Sequence, residues 1–192
     1  MRLEQIEVYK LAELSPESQE KAHEYYLNSG DYYFWNDENV ETLKAFENEF
    51  PVKIGDWEYG DRNYINFQLT CDSDIENLAG NRLYKFIVNT YWNVIYSRKV
   101  YYHKDKKRIS RIFWQSDCNL TGYHLDNYIL QPLINYIRRP GKNETLESLM
   151  NDCLHEWIFA CNKDYEFSQS FENFKETSEI NNWEYTIDGK MY

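Results

Sequence analysis

No stretch of this sequence is apolar for long enough to cross a bilayer, so a helical membrane span is not expected. Behind Met1-Arg2-Leu3-Glu4-Gln5 there is no apolar run of the signal-peptide kind, and the expected location is the cytoplasm. Cysteine is sparse. Cys71, Cys118, Cys153 and Cys161 are scattered without framework spacing and read as reduced core thiols. His103, His124 and His155 make no Cys-x-x-Cys or His-Glu-x-x-His pattern with each other or with these thiols, so no metal is expected. Cys153 and His155 are two apart on a helix and point to different sides.

A Gly-x-Ser-x-Gly elbow and a Gly-rich phosphate loop are also missing. Cys118 and His124 would form a nucleophile–base pair only if the fold joined them. Asp56, Glu58, Asp61, Asp72 and Asp74 flank predicted strands, where a metal-dependent nuclease would keep its carboxylates. The acid-x-Lys partner of such a site does not follow, and these acids read as turn residues bonding to nearby backbone. The expectation is a protein without catalytic residues and without a cofactor.

What is present is aromatic and acidic. Aromatics make up 18% of the chain, with 18 tyrosines. Tyrosine fills a core or furnishes a contact patch, because it joins an apolar body to a polar tip. The net charge of −11 is uneven: residues 1–80 hold 18 acids against 6 bases, and residues 81–115 hold 1 acid against 9 bases. The overall sign argues against general nucleic-acid binding, which draws its affinity from Lys and Arg. The acids either attract a basic partner or keep the protein in solution.

Hydrophobic periodicity predicts the elements. A short strand is expected at 3–9. A helix runs from the Ser15 cap and Pro16 to about Asn28, with Gly30 as its stop. A second helix covers 36–49 and ends at Pro51. In residues 52–71, Ile65, Phe67 and Leu69 alternate with polar neighbours, and Gly55, Gly60 and 61–63 read as turns. A helix follows over 81–96, then a basic turn at 104–108 and a strand at 109–114. Leu125 to Ile137 suggests a helix bent by Pro132, and Thr145 to Cys161 is the clearest helix. Phe167, Phe171 and Phe174 suggest one more, and the tail from Trp183 is strand-like around Asp188-Gly189. There is no repeat and no linker. The reading is α+β: a single compact domain over 1–192, with a small β-sheet and several amphipathic helices.

Two segments carry a resemblance. Glu13-Leu14-Ser15-Pro16-Glu17-Ser18-Gln19-Glu20-Lys21-Ala22 resembles the helix start of a broad set of small phage and prophage proteins. Asn182-Trp183-Glu184-Tyr185-Thr186-Ile187-Asp188-Gly189-Lys190 is similar to the strand-turn ending of the same set. That set is mostly unassigned in function, and some members are labelled antitoxins. The resemblance implies a mobile-element setting and supplies no catalytic residues.

From that setting and the charge, the expected function is binding and inhibition of a host nucleic-acid-handling defence protein, of the anti-CRISPR or antirestriction type. Acids would occupy the partner's basic groove; the candidates are Asp31, Asp37, Glu38, Glu41, Asp56, Glu58 and Asp61. The alternative is a small nucleic-acid-binding protein. It would use Arg98, Lys99, Lys104, Lys106, Lys107, Arg108 and Arg111, interleaved with Tyr96, Tyr101, Tyr102, Phe113 and Trp114, to hold phosphates and stack on bases. The same basic stretch could instead pair with the acidic face of its own molecule or of a second copy, giving a homo-oligomer.

Overall fold

The structure, a computed structural model, describes residues 6–29, 36–96 and 119–192, and the backbone of 103–104 and 107–108. The architecture is α+β. In order come α1 (Pro16–Ser29), α2 (Asn36–Glu49), β1 (Val52–Glu58), β2 (Tyr64–Leu69), α3 (Ser73–Glu76), α4 (Gly80–Ile95), β3 (His103–Lys104), β4 (Lys107–Arg108), α5 (Leu125–Arg138), α6 (Leu146–Ser168) and α7 (Phe171–Ile180). The chain divides into two compact units. Residues 35–162 form the larger; residues 1–34 with 163–192 form the smaller. Among the described residues, no helix is long and apolar enough to cross a membrane.

The larger unit is built on helical stripes. Leu83, Ile87, Tyr91 and Ile95 recur every four residues on α4, and Leu125, Ile129, Leu133 and Tyr136 every three or four on α5. They bury against Leu146, Leu149, Met150, Cys153, Leu154, Trp157 and Cys161 of α6. Each such aliphatic side chain contributes about 2 kcal/mol on leaving water. Cys153 and Cys161 are core thiols, as expected, and burial pushes the Cys153 thiol well above its ordinary value. His155 on the same helix is exposed.

β1 and β2 pair antiparallel, with Ile54 opposite Phe67 and Trp57 opposite Ile65. Gly55 and Asp56 therefore face the single residue Asn66, a β-bulge. This corrects the expectation of a turn at Gly55. The extra residue puts Ile54 and Trp57, three apart, on the same core-facing side, where both pack. Pro132 lies inside α5. α6 runs seven residues beyond Cys161, because its apolar stripe fades there but no stop signal intervenes before Ser170. Ser170 accepts the Asn173 N–H at 3.1 Å and opens α7, so Phe167 belongs to α6.

The smaller unit gathers the two ends of the chain around Leu11, Leu14, Ala22, Tyr26, Phe174 and Tyr185. Ser15 caps α1, its hydroxyl accepting the Ser18 N–H at 3.2 Å. The strand expected over 3–9 is reduced to a single bridge, with Tyr9 and Tyr185 exchanging backbone hydrogen bonds of 2.8 and 2.9 Å; residues 3–5 lie outside the described residues. The segments carrying the resemblance lie against each other here. The Ser18 hydroxyl donates to the Ile187 carbonyl at 2.8 Å. Gly189 has φ +85°, and a Cβ there would collide with the Ser18 carbonyl oxygen. Only glycine satisfies both conditions. The Gly30 stop and the strand expected at 109–114 lie outside the described residues.

Candidate partner-binding face

In the larger unit, α2 and β1 lie side by side and run in opposite directions. At one end, the Glu47 carboxylate accepts from Lys53 Nζ at 2.8 Å and from the Ile54 N–H at 3.0 Å. At the other, the Tyr59 hydroxyl donates to Asn36 Oδ1 at 2.6 Å. The lengths agree: 14 helical residues span about 21 Å and 7 strand residues about 23 Å.

Aromatic packing fixes the Tyr59 end. Trp57 and Tyr59 stack with centroids 5.6 Å apart, and both meet Trp157 edge-on, at 5.3 and 5.9 Å. Trp157 is fully buried, and its indole N–H donates to the Asn39 carbonyl at 3.0 Å. The Gly60 N–H donates to Asn162 Oδ1 at 3.0 Å, with Gly60 at φ +104° turning the hairpin. The Asn39 side chain, by contrast, is buried with neither polar atom partnered among the described residues.

These contacts place most of the predicted acids. Asp37 is exposed and Glu38 half-buried in the first turn of α2, where the helix dipole favours negative charge. Glu58 ends β1, and Asp61 is exposed in the turn beyond Gly60. Asp37, Glu58 and Asp61 thus fall around the Asn36–Tyr59 bond. Glu41 lies one turn further along α2 and pairs with Lys44 at 2.9 Å. Asp56 is exposed in the bulge, further back along β1. Among the described residues, no Lys or Arg makes an ion pair with Asp37, Glu38, Asp56, Glu58 or Asp61. Asp31 lies outside the described residues.

Two anchoring carboxylates escaped the sequence reading. The hydrogen bond from Lys53, reinforced by the Ile54 N–H, holds Glu47 below the usual carboxylate range. Asp126 is buried. Its Oδ2 accepts the N–H groups of Leu120, Thr121 and Gly122 at 2.8, 2.8 and 3.0 Å, and its Oδ1 accepts the Thr121 hydroxyl at 2.8 Å. Thr42 of α2 adds a longer bond of 3.4 Å, so Asp126 ties the 120–122 loop to α2. With its lone pairs committed to these donors, Asp126 is an anchor. No local pattern announces either residue, since their partners lie across a turn or on another element.

Of the basic candidates, Lys104, Lys107 and Arg108 belong to the β3–β4 hairpin, in which His103 pairs with Arg108 and Lys104 with Lys107. Arg98, Lys99, Lys106 and Arg111 lie outside the described residues, as does Cys118. A cleft of about 750 Å³ opens between the end of α5 and the start of α6, lined by Arg138, Arg139, Glu144, Asp152, His155 and Glu156. Partial desolvation, then the nearby Glu144, raises Asp152 from its ordinary value, although the residue remains exposed. Among the described residues, no group of His, Cys, Asp and Glu is arranged to hold a metal. Compared with family models, with curated proteins and with solved structures, the chain matches none.

Proposed function

We propose that the chain is a non-enzymatic, phage-type inhibitor that acts in the host cytoplasm by binding a nucleic-acid-handling defence protein. Its acidic α2–β1 face occupies the partner's basic groove in place of nucleic acid. The observation that carries this reading is the Asn36–Tyr59 hydrogen bond, which fastens two acid-bearing segments into one face. Carboxylates that pair with no described Lys or Arg remain available to an external cation, and a face held by Trp57, Tyr59 and Trp157 loses little freedom on binding.

The test is inhibition of DNA cleavage by a panel of restriction and RNA-guided nucleases. Inhibition should weaken as salt rises, since exposed charges are screened beyond about 8 Å at physiological ionic strength. Asp37→Lys, Glu38→Lys and Glu41→Lys together should slow association with the inhibited nuclease, because rim charges steer encounter. Lys106→Glu, Lys107→Glu and Arg108→Glu together should leave it unchanged. A salt-sensitive shift of labelled DNA or RNA by the chain itself, lost in the 106–108 variant and kept in the 37–41 variant, would reject the mimic. It would favour the basic-aromatic alternative instead.

A further inference from the structure

The smaller unit holds a pocket of about 160 Å³ lined by Tyr25, Tyr26, Phe174, Trp183, Tyr185 and Met191. A cavity near 150 Å³ admits a group about as large as benzene. The rings are mutually braced: Tyr26 lies 5.1 Å from Phe174 and 5.7 Å from Trp183, centroid to centroid, and Phe174 lies 6.3 Å from Tyr185. The Tyr185 hydroxyl is already spent on Ser178 at 2.9 Å, leaving its ring as wall. Burial holds that hydroxyl above its ordinary range, the mark of a poorly hydrated surround.

Among the described residues, no Lys, Arg or His lines the pocket. Around it, the described residues of the unit carry 12 carboxylates against 5 lysines. An enclosure of aromatic rings in a negative field attracts compact, weakly hydrated cations through the rings' negative faces. An anion is repelled by that field. A hydrated ammonium is disfavoured because the wall offers little to replace its water.

We propose that this pocket binds a quaternary ammonium head, carried either by a small molecule of the choline type or by a trimethylated lysine side chain. Tyr25, half exposed on α1, forms the outer wall, and the rings behind it form the base.

The experiment titrates the full chain with choline, with its uncharged carbon isostere 3,3-dimethylbutan-1-ol, and with a short trimethyllysine peptide. The readout is the indole N–H resonance of Trp183 in two-dimensional NMR. Choline should shift it in the millimolar range, and the isostere should bind about tenfold more weakly, the usual worth of a desolvated cation–π contact. The tighter of choline and the peptide identifies the carrier of the head. Tyr25→Leu, on a half-exposed side chain, should keep the fold while erasing the preference for the charged probe. Equal binding of choline and isostere would overturn the proposal, as would no shift with any probe, or an unchanged preference in the Tyr25→Leu protein.

Discussion

The two units are stabilised in different ways. The larger buries aliphatic stripes from α4, α5 and α6, several residues deep, so each element is held at many points. The smaller buries a few rings and joins the chain ends through one bridge and one glycine laid on the α1 backbone. The first arrangement spreads its stability widely; the second concentrates it in a few contacts. Local opening follows such differences, since regions with few apolar contacts open first.

The sharpest way to break this comparison is Gly189→Ala. The methyl would need a left-handed φ and would meet the Ser18 carbonyl. We expect a loss of about 3 kcal/mol confined to the smaller unit. Hydrogen exchange should show α1 and α7 amides losing protection while β1 and β2 amides keep theirs. Equal loss in both units would mean that they do not open separately.

Asp126→Asn is the counterpart in the larger unit. The amide keeps the shape but turns one acceptor into a donor facing the 120–122 N–H groups or the Thr121 hydroxyl. A loss of about 2 kcal/mol is expected, the scale of hydrogen bonds to a charged group. Protection should fall in α2 and α5, with the Tyr9 and Tyr185 amides unchanged.

The smallest expected effect is the pH dependence at Glu47. Its folded pKa lies below the ordinary carboxylate value, so its contribution is present above that value and is lost as pH falls through the lowered one. Stability curves of the wild type and Glu47→Gln should differ near neutral pH and converge in acid. The gap is small because the Lys53 partner is largely exposed to solvent. A gap that stayed constant into acid would show that Glu47 acts through packing instead of charge.

Much of the fold was legible in the residues. The span of α2 read from sequence matches the observed one, since Val40, Leu43 and Phe46 set the stripe and Pro51 the stop. α1 was legible from Ser15-Pro16, and the Asp188-Gly189 turn from its dipeptide. The bulge at Gly55-Asp56 was not, because a glycine between strand residues signals a turn as readily as a bulge. The end of α6 was missed because periodicity reports an apolar face, and the helix continues past its apolar stripe. As for the candidate face, the acid types and their positions were legible, but their gathering around Asn36 and Tyr59 was not.

The sequence by itself determined what is local: where α1 starts and where α2 starts and stops, which face of each helix is apolar, the excess of acid, and the want of spaced metal or nucleophile motifs. These depend on neighbours within a turn or two of the chain, where geometry follows directly from spacing. Only the tertiary structure decided what is distant: Glu47 held by Lys53, Asp126 closing on the 120–122 loop and Thr42, Gly189 laid on α1, and Tyr25 and Trp183 lining one pocket. Such pairings arise when separate stripes are buried together, and no local periodicity says which stripe meets which.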